Sequence, residues 1–275
     1  MLPLGYAREI CERAYGEAVT WNPDVYHRHR EARSAPALDL LAMIPDLPYR
    51  DVVDLGCGTG EHTRTLAQRF PGARVLGLDS SAEMLARAQE QSAPNLRFEQ
   101  GDILDVQGEY DLIFSNAALQ WLPDHPALLA GLWGRLRPGG VLAVQVPANH
   151  DHDSHRLLTE TAREFAAELE GFTRFGTAHG HSPVLTPADY AEMLDGLGAA
   201  EVTALSRVYP VVLPGAEGLL DWTRGTALVP YLTRLGPEGG ERFVAAYLGR
   251  LRARWPGERV YYAFTRVLFT AVKAG

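Results

Sequence analysis

The sequence predicts an α/β fold, with helices flanking a doubly wound, mostly parallel sheet of seven strands and with a helical cap. Strands alternate with helices as far as Pro147, which is typical of a parallel sheet. A glycine-rich turn follows the first strand, where such sheets bind nucleotides. Two later β-rich segments complete the sheet. The predicted strands span residues 52–55, 74–78, 95–99, 110–116, 141–146, 200–212 and 260–272.

Length and composition bound the kind of protein. A chain of 275 residues with 46% hydrophobic and 22% charged residues is a globular domain, alone or with a cap. The net charge of −8 argues against a nucleic-acid partner. Cys11 and Cys57 form neither a disulfide framework nor a metal-ligand spacing, which favours the cytoplasm. We see no bilayer-length apolar run and no signal-peptide core, and expect no membrane partner. The oligomeric state is not predicted.

The glycine-rich turn is the main functional signal. The strand at 52–55 leads into Gly56, Gly58 and Gly60, and a helix follows from Glu61. Glycine allows a backbone to approach a ligand closely and to adopt positive φ. Asp79 ends the next strand about twenty residues later, the spacing at which a carboxylate accepts hydrogen bonds from ribose hydroxyls. The turn therefore predicts a nucleoside site.

Glu61 bears on which nucleotide binds. A dinucleotide fingerprint places Gly or Ala at this position, and a carboxylate at the helix N-terminus would repel a pyrophosphate. A ligand without phosphate fits better. A nicotinamide oxidoreductase remains the rival enzyme, and a binding module that has lost its reaction remains the rival outside enzymes.

The ends of later strands carry further candidates. Asp102 and Ile103 suit the amine and the ring face of an adenine. In a parallel sheet ligands bind beyond the carboxyl ends of the strands, so the segment from Asn116 to Trp121 should line the reaction centre. Met84 follows a serine helix cap and is interpreted either as core or as a cofactor contact.

Three segments allow both a structural and a functional interpretation. The turn containing Trp21 and Tyr26 is either a surface turn or a lid. The basic run at 27–33 is either a solvated face or an anion site, for which we choose Arg33. The run of histidines and acids at 150–155 matches no common metal site, and we predict no metal.

The predicted organisation has three parts. Residues 1–20 form an N-terminal extension. The α/β core comprises residues 21–147, 197–213 and 258–275. Helical cap insertions comprise residues 148–196 and 214–257.

Several motifs together resemble the trans-aconitate 2-methyltransferase family, a branch of the Rossmann-like class I S-adenosylmethionine-dependent methyltransferases. The narrowest are the Leu-Gln-Trp-Leu-Pro-Asp-His stretch that ends at His125 and the Trp-Asn-Pro at 21–23. The chain departs from the family in the twenty or so residues before Trp21 and in the cap stretch 223–226. The matching segments are 21–23, 53–58, 77–81, 111–125, 140–145, 221–222 and 264–269.

The resemblance implies S-adenosyl-L-methionine as methyl donor, S-adenosyl-L-homocysteine as product, and a small carboxylic acid such as trans-aconitate as acceptor. A different acid or a hydroxyl acceptor remains an alternative. A carboxylate is ionised near neutral pH, so positioning and exclusion of water suffice and no general base is required. No catalytic residue is assigned; Gln120 and Trp121 are expected to border the methyl group.

The remaining expectations concern contacts with the donor and the acceptor. Arg266 is interpreted either as a carboxylate anchor or as half of an ion pair, and His125 either as an acceptor contact or as a helix start. The predicted donor contacts are Trp21, Asp54, Gly56, Gly58, Asp79, Ser80, Met84, Asp102, Ile103, Asn116, Ala117 and Gln120. The predicted acceptor contacts are Tyr26, Arg33, Trp121, His125, Trp222 and Arg266.

Overall fold

The computed structural model describes residues 30–91, 93–172 and 182–275, with side chains from residue 34 onward. It contains a seven-stranded sheet of order β3-β2-β1-β4-β5-β7-β6. Strands β1 to β5 run parallel, and β7 lies antiparallel between β5 and β6. The predicted fold class is confirmed. The strands are β1 Asp51–Leu55, β2 Arg74–Asp79, β3 Leu96–Gln100, β4 Tyr110–Asn116, β5 Leu136–Pro147, β6 Ala199–Pro214 and β7 Arg259–Lys273.

Helices cover both faces of the sheet and build the cap. Short 3₁₀ turns at Ile103–Asp105 and Leu119–Trp121 follow β3 and β4. None of the described helices is long and apolar enough to cross a membrane. The helices are α1 Arg30–Met43, α2 Glu61–Arg69, α3 Ala82–Ala88, α4 His125–Gly134, α5 Asp153–Glu164, α6 Pro187–Gly196, α7 Gly215–Arg224 and α8 Val229–Arg254.

Alternation along the strands sorts the sheet into two buried faces. On one face, Val53 and Ile113 belong to a cluster that includes residues of α4 and α6. On the other, Val52 and Leu112 pack in a cluster with residues of α1 and α2. Because β1 and β4 are covered on both sides, apolar residues in their middle are buried on each face, as in most central parallel strands.

The cap has its own hydrophobic cluster. Residues of α5, α7 and α8 pack there with the parts of β6 and β7 that extend beyond β5. The α8 run is broken at Gly236, whose φ of 68° is not helical. Tyr247 of α8 donates a hydrogen bond to the carbonyl of Ser154 in α5 at 3.0 Å, which ties the two helices together.

Two segments differ from the sequence expectations. Helix α6 was placed in the cap, but it packs on the sheet, with Tyr190 stacked on Phe269 of β7 at 4.5 Å between ring centroids. Strand β5 begins at Leu136 instead of residue 141. Its early start is held by Arg137, which pairs with Asp111 of β4 at 3.0 Å.

Several expectations lie outside the described residues. These are the extension 1–20, the turn with Trp21 and Tyr26, and the side chain of Arg33, whose backbone belongs to the first turn of α1.

Candidate active site

The glycine turn after β1 is built for close approach. Gly56 has φ of 72° and Gly58 has φ of 55°, in the left-handed region that favours glycine. The amides of Gly56 and Cys57 both donate to the carbonyl of Leu78, at 2.8 and 3.0 Å. A Cβ at Gly56 would lie 2.3 Å from the Cβ of Ala118. A side chain at position 56 would therefore push the turn away from the loop that follows β4.

Asp79 supports this turn from the end of β2. One carboxylate oxygen accepts from the Gly58 amide at 2.8 Å, and the other accepts from the Ser81 amide at 2.9 Å. A carboxylate has about four acceptor positions, so capacity remains for ligand hydroxyls. Ser81 also caps α3 by accepting from the Met84 amide, and the Ser80 carbonyl accepts from Gln100. The Met84 side chain is half-buried.

Asp54 gives the turn its electrostatic character. It is 2% exposed and accepts a hydrogen bond from Thr63 at 2.7 Å. Burial raises the pKa of Asp54 to about 7 against the opposing effect of the Thr63 bond, and the Asp79 charge raises it further. Burial and the same two carboxylates also raise the pKa of the Cys57 thiol. A positively charged ligand beside Asp54 would lower this pKa and favour the carboxylate, whereas a phosphate would raise it further.

The residues after β3 lie beside the glycine turn. Asp102 accepts from the Leu104 amide at 2.9 Å and so caps the 3₁₀ turn Ile103–Asp105. The Ile103 side chain lies 3.7 Å from the position that a Cβ of Gly56 would take. The structure therefore brings the predicted adenine-binding pair and the turn together.

The loop after β4 closes the same edge of the sheet. Ala117 has φ of 55°, an uncommon conformation for a residue with a Cβ, and its amide donates to the carbonyl of Gln145. Gln120 turns back and donates to the carbonyl of Ala117 at 2.6 Å. The half-buried Trp121 follows it.

Two buried oxygens of this loop have no hydrogen-bond partner within the described part of the chain: Asn116 Oδ1 and Gln120 Oε1. Buried polar atoms are nearly always paired, so such atoms indicate a ligand position. Both are acceptors, and oxygen atoms are suitable neighbours for a positively charged group.

His125 holds the loop from behind. It is 2% exposed, with one ring nitrogen 3.0 Å from the Leu119 carbonyl and the other against the Tyr190 hydroxyl. Burial lowers the pKa of His125, which keeps the ring neutral. The expected acceptor contact is therefore corrected: both nitrogens are engaged by the protein, and His125 begins α4 and positions the loop.

Arg266 is a residue of β7 and lies where the neighbouring strand β5 ends. In the antiparallel register it faces Pro147, and it is 8% exposed. Its guanidinium lies over the Phe264 ring, 3.9 Å from the centroid. Its neighbour on β6, Arg207, is paired with Asp39 of α1 at 2.9 Å. Two arginines therefore occupy adjacent register positions of β6 and β7.

Trp222 does not lie where the sequence placed it. It is 3% exposed and packs edge-on against Phe264 at 4.9 Å inside the cap cluster. The expected contact between Trp222 and the acceptor is thus corrected. Trp222 packs against Phe264, the ring over which the Arg266 guanidinium lies.

Gln145 of β5 is the residue that our sequence reasoning missed. It is 1% exposed, and its Nε2 has no hydrogen-bond partner among the residues described. Farther on, Asn149 donates to the Ala263 carbonyl at 2.9 Å and has a similarly unpartnered Oδ1. The available signal was a single amide in the apolar run 141–146.

The histidine-rich run after β5 has a structural use. His152 caps α5 by accepting from the Ser154 amide at 3.2 Å and stacks on Trp255. Within residues 30–91, 93–172 and 182–275, no group of His, Cys, Asp and Glu side chains is arranged to hold a metal ion.

Comparisons with known proteins agree with this geometry. Residues 52–140 match the family described as "Methyltransferase domain". The YcgJ protein of Bacillus subtilis shares the fold with a TM-score of 0.53 at 16% identity, covering 90% of this chain and all of that one. A Haemonchus contortus phosphoethanolamine N-methyltransferase 2 gives a TM-score of 0.58 at 17% identity, covering 99% of this chain and 62% of that one. Fold and site together define a class I S-adenosylmethionine-dependent methyltransferase.

Full-length relatives narrow this class. The trans-aconitate 2-methyltransferase of Deinococcus radiodurans is 72% identical over 255 residues, which cover 93% of this chain and 99% of that protein. The enzyme of the same name from an Azoarcus species is 40% identical over 260 residues, covering 92% and 99%. This chain belongs to the trans-aconitate 2-methyltransferase family.

Proposed function

We propose that this protein transfers a methyl group from S-adenosylmethionine to a carboxylate oxygen of trans-aconitate, with S-adenosylhomocysteine and a methyl ester as products. The observation that carries the proposal is the placing of an acidic nucleoside turn and a buried arginine, Arg266, at one edge of the sheet. Family membership supplies the class of reaction and a small carboxylic acid as the class of acceptor.

The donor side fits a nucleoside that carries positive charge and lacks phosphate. We assign the ribose hydroxyls to Asp79, which holds the Gly58 amide, and the adenine to Asp102 and Ile103, because Ile103 lies beside Gly56. The unpartnered oxygens of Asn116 and Gln120 favour a cationic neighbour. S-adenosylmethionine supplies, when bound, a methyl group on a positively charged sulfur.

The acceptor side requires charge and position. A carboxylate is already ionised near pH 7, so it reacts without losing a proton. His125 is buried with both ring nitrogens engaged, which removes it as a base. The chain therefore contributes alignment of the two reactants and exclusion of water.

Arg266 is our candidate anchor for the acceptor. Guanidinium groups bind carboxylates through two parallel hydrogen bonds, and stacking on Phe264 restricts the orientation of this one. Arg33, Tyr26 and Trp21 stay predictions for the acceptor and the lid. The absence of a nucleic-acid or membrane partner and the cytoplasmic location also stay predictions.

A methyl-transfer assay tests the proposal. Purified protein is incubated with S-adenosylmethionine labelled in its methyl group and with a panel of acceptors: trans-aconitate, other di- and tricarboxylates, a monocarboxylate and a hydroxylated metabolite. We expect label in an ester of trans-aconitate, identified by mass spectrometry and released by alkaline hydrolysis. Transfer to the hydroxyl compound alone, or none to any acid while the donor binds, would contradict the proposal.

Calorimetry distinguishes the proposed methyltransferase from a nicotinamide oxidoreductase. S-adenosylhomocysteine should bind, whereas a nicotinamide dinucleotide should not. Glu61, the buried Asp54 and the half-buried Asp79 all lie next to the glycine turn and oppose a pyrophosphate there.

A further inference from the structure

We infer that Gln145 binds the acceptor, donating a hydrogen bond from its side-chain amide to a carboxylate oxygen. The inference rests on the proposed function and deepens it, because it assigns a second group, beside Arg266, that selects for an anionic acceptor.

Register places Gln145 at the centre of the candidate site. It pairs with Asn116 of β4 on one side and with Leu268 of β7 on the other. Arg266 is two residues from Leu268 on β7, and so lies diagonally across from Gln145 on the same face of the sheet. The residue thus stands between the loop that borders the donor and the arginine that faces the acceptor.

Burial makes the side chain costly unless it has a partner. Gln145 is 1% exposed, and its Nε2 finds no hydrogen-bond partner in the described ranges. Leaving such an amide unpaired costs about 1–3 kcal/mol. Its strand neighbours Val144 and Val146 are fully buried and apolar. An apolar residue of similar size would avoid the cost at position 145, so a ligand is the simplest reason for an amide there.

The chemistry of the unpartnered atoms indicates which ligand. On the β4 loop they are oxygens, Asn116 Oδ1 and Gln120 Oε1, which accept hydrogen bonds. On β5 the atom of Gln145 is a nitrogen, which donates. The methyl donor carries positive charge and the acceptor negative charge. Acceptor atoms therefore suit the first ligand and the amide donor suits the second.

Two substitutions of matched size test the assignment. Gln145→Leu removes the donor and keeps the volume; Gln145→Glu replaces the nitrogen with a charged oxygen that repels a carboxylate. Methyl transfer is measured against acceptor concentration, and S-adenosylhomocysteine binding by calorimetry. We expect the acceptor KM to rise about 10-fold with leucine and about 100-fold with glutamate, with the affinity for S-adenosylhomocysteine unchanged.

Which of the two variants raises the acceptor KM more distinguishes a role in acceptor binding from a role in supporting the fold. A structural role would affect donor and acceptor together and would not make glutamate worse than leucine for the acceptor alone. Thr270→Val is the matched control, because Thr270 lies on the same face of β7 as Arg266 and is 8% exposed. This variant should keep the wild-type acceptor KM and the wild-type affinity for S-adenosylhomocysteine. Melting curves check each variant, and if the leucine variant does not fold, the glutamate variant decides.

Failure of this inference differs from failure of the proposed function. Wild-type turnover with an unchanged acceptor KM in the folded variants overturns the role of Gln145 alone. A weakened donor affinity with unchanged acceptor KM also overturns it, and would assign Gln145 to the donor. Absence of transfer by the wild type to every acid tested overturns both.

Discussion

The donor half and the acceptor half of the candidate site are built in different ways. In the donor half, hydrogen bonds join residues close in sequence: Thr63 to Asp54 across nine positions and Gly58 to Asp79 across 21. In the acceptor half, Asn149 reaches Ala263 across 114 positions. The family match at 52–140 covers the first half only. A compact stretch of sequence thus specifies the donor site, and distant segments assemble the acceptor site.

The two halves also differ in charge. Asp54 of β1 and Asp79 at the end of β2 flank the glycine turn, and their interaction contributes to the raised pKa of Asp54. The middle of β7, where the neighbouring strand β5 ends, carries Arg266, next to Arg207 of β6. This separation mirrors the charges of a sulfonium donor and a carboxylate acceptor. Substitutions that affect one half and spare the other therefore test the comparison directly.

The largest expected effect is on stability and comes from Asp54. Its pKa is about 7 in the fold and near 4 in an unfolded chain, so the folded protein holds the proton more tightly between these values. The wild type should lose about 3 kcal/mol of unfolding free energy between pH 5 and pH 8 through this group. Asp54→Asn should lack that loss. Denaturant unfolding of both proteins at several pH values measures the difference.

Asp105→Asn, an exposed acid on the 3₁₀ turn after β3, is the control and should follow the wild-type pH dependence. Parallel stability curves for wild type and Asp54→Asn would show that Asp54 is ionised in the fold throughout this range. In that outcome Asp54 would contribute a negative charge to the donor half at every pH tested.

The next effect is on donor affinity. Asp79→Ala removes the acceptor for ribose hydroxyls and also frees the Gly58 and Ser81 amides that hold the turn. We expect S-adenosylhomocysteine binding to weaken by about 2 kcal/mol, because hydrogen bonds to a charged group are lost. Calorimetry measures it, with Glu99→Gln on the exposed edge of β3 as control. Unchanged affinity would remove Asp79 from the donor site and break the comparison at its acidic half.

The donor half was predictable because its signals are local. A glycine turn after a strand, an acid at the end of the next strand and a polar segment after β4 each lie within a short stretch, and a parallel sheet brings strand ends to one edge. These rules alone predict that Gly56, Asp79 and Asn116 lie at one edge of the sheet. The serine cap predicted before Met84 is Ser81.

The acceptor half was less predictable because its contacts are long-range. The sequence predicts that Trp222 and His125 lie near the site. It does not show that Trp222 is buried in the cap cluster or that His125 bonds to Tyr190. Helix α6 was assigned to the cap, since periodicity does not tell which surface an amphipathic helix covers. The sequence shows Gln145 only as one residue of a predicted strand, because its candidate role depends on its neighbours in β4 and β7.

The smallest of these effects concerns Arg266 and tests the basic half. Arg266→Met keeps a long side chain over Phe264 but removes the charge, and should raise the acceptor KM about 10-fold by loss of the paired hydrogen bonds. Arg266→Lys should recover part of this loss, since it keeps the charge without the planar fork. Arg207→Met is the matched control, because Arg207 lies on the neighbouring strand β6 and is paired with Asp39 of α1. Equal KM changes in both arginine-to-methionine variants would mean that the β6–β7 pair acts as a general positive field, and an unchanged KM in Arg266→Met would place the acceptor anchor elsewhere in the chain.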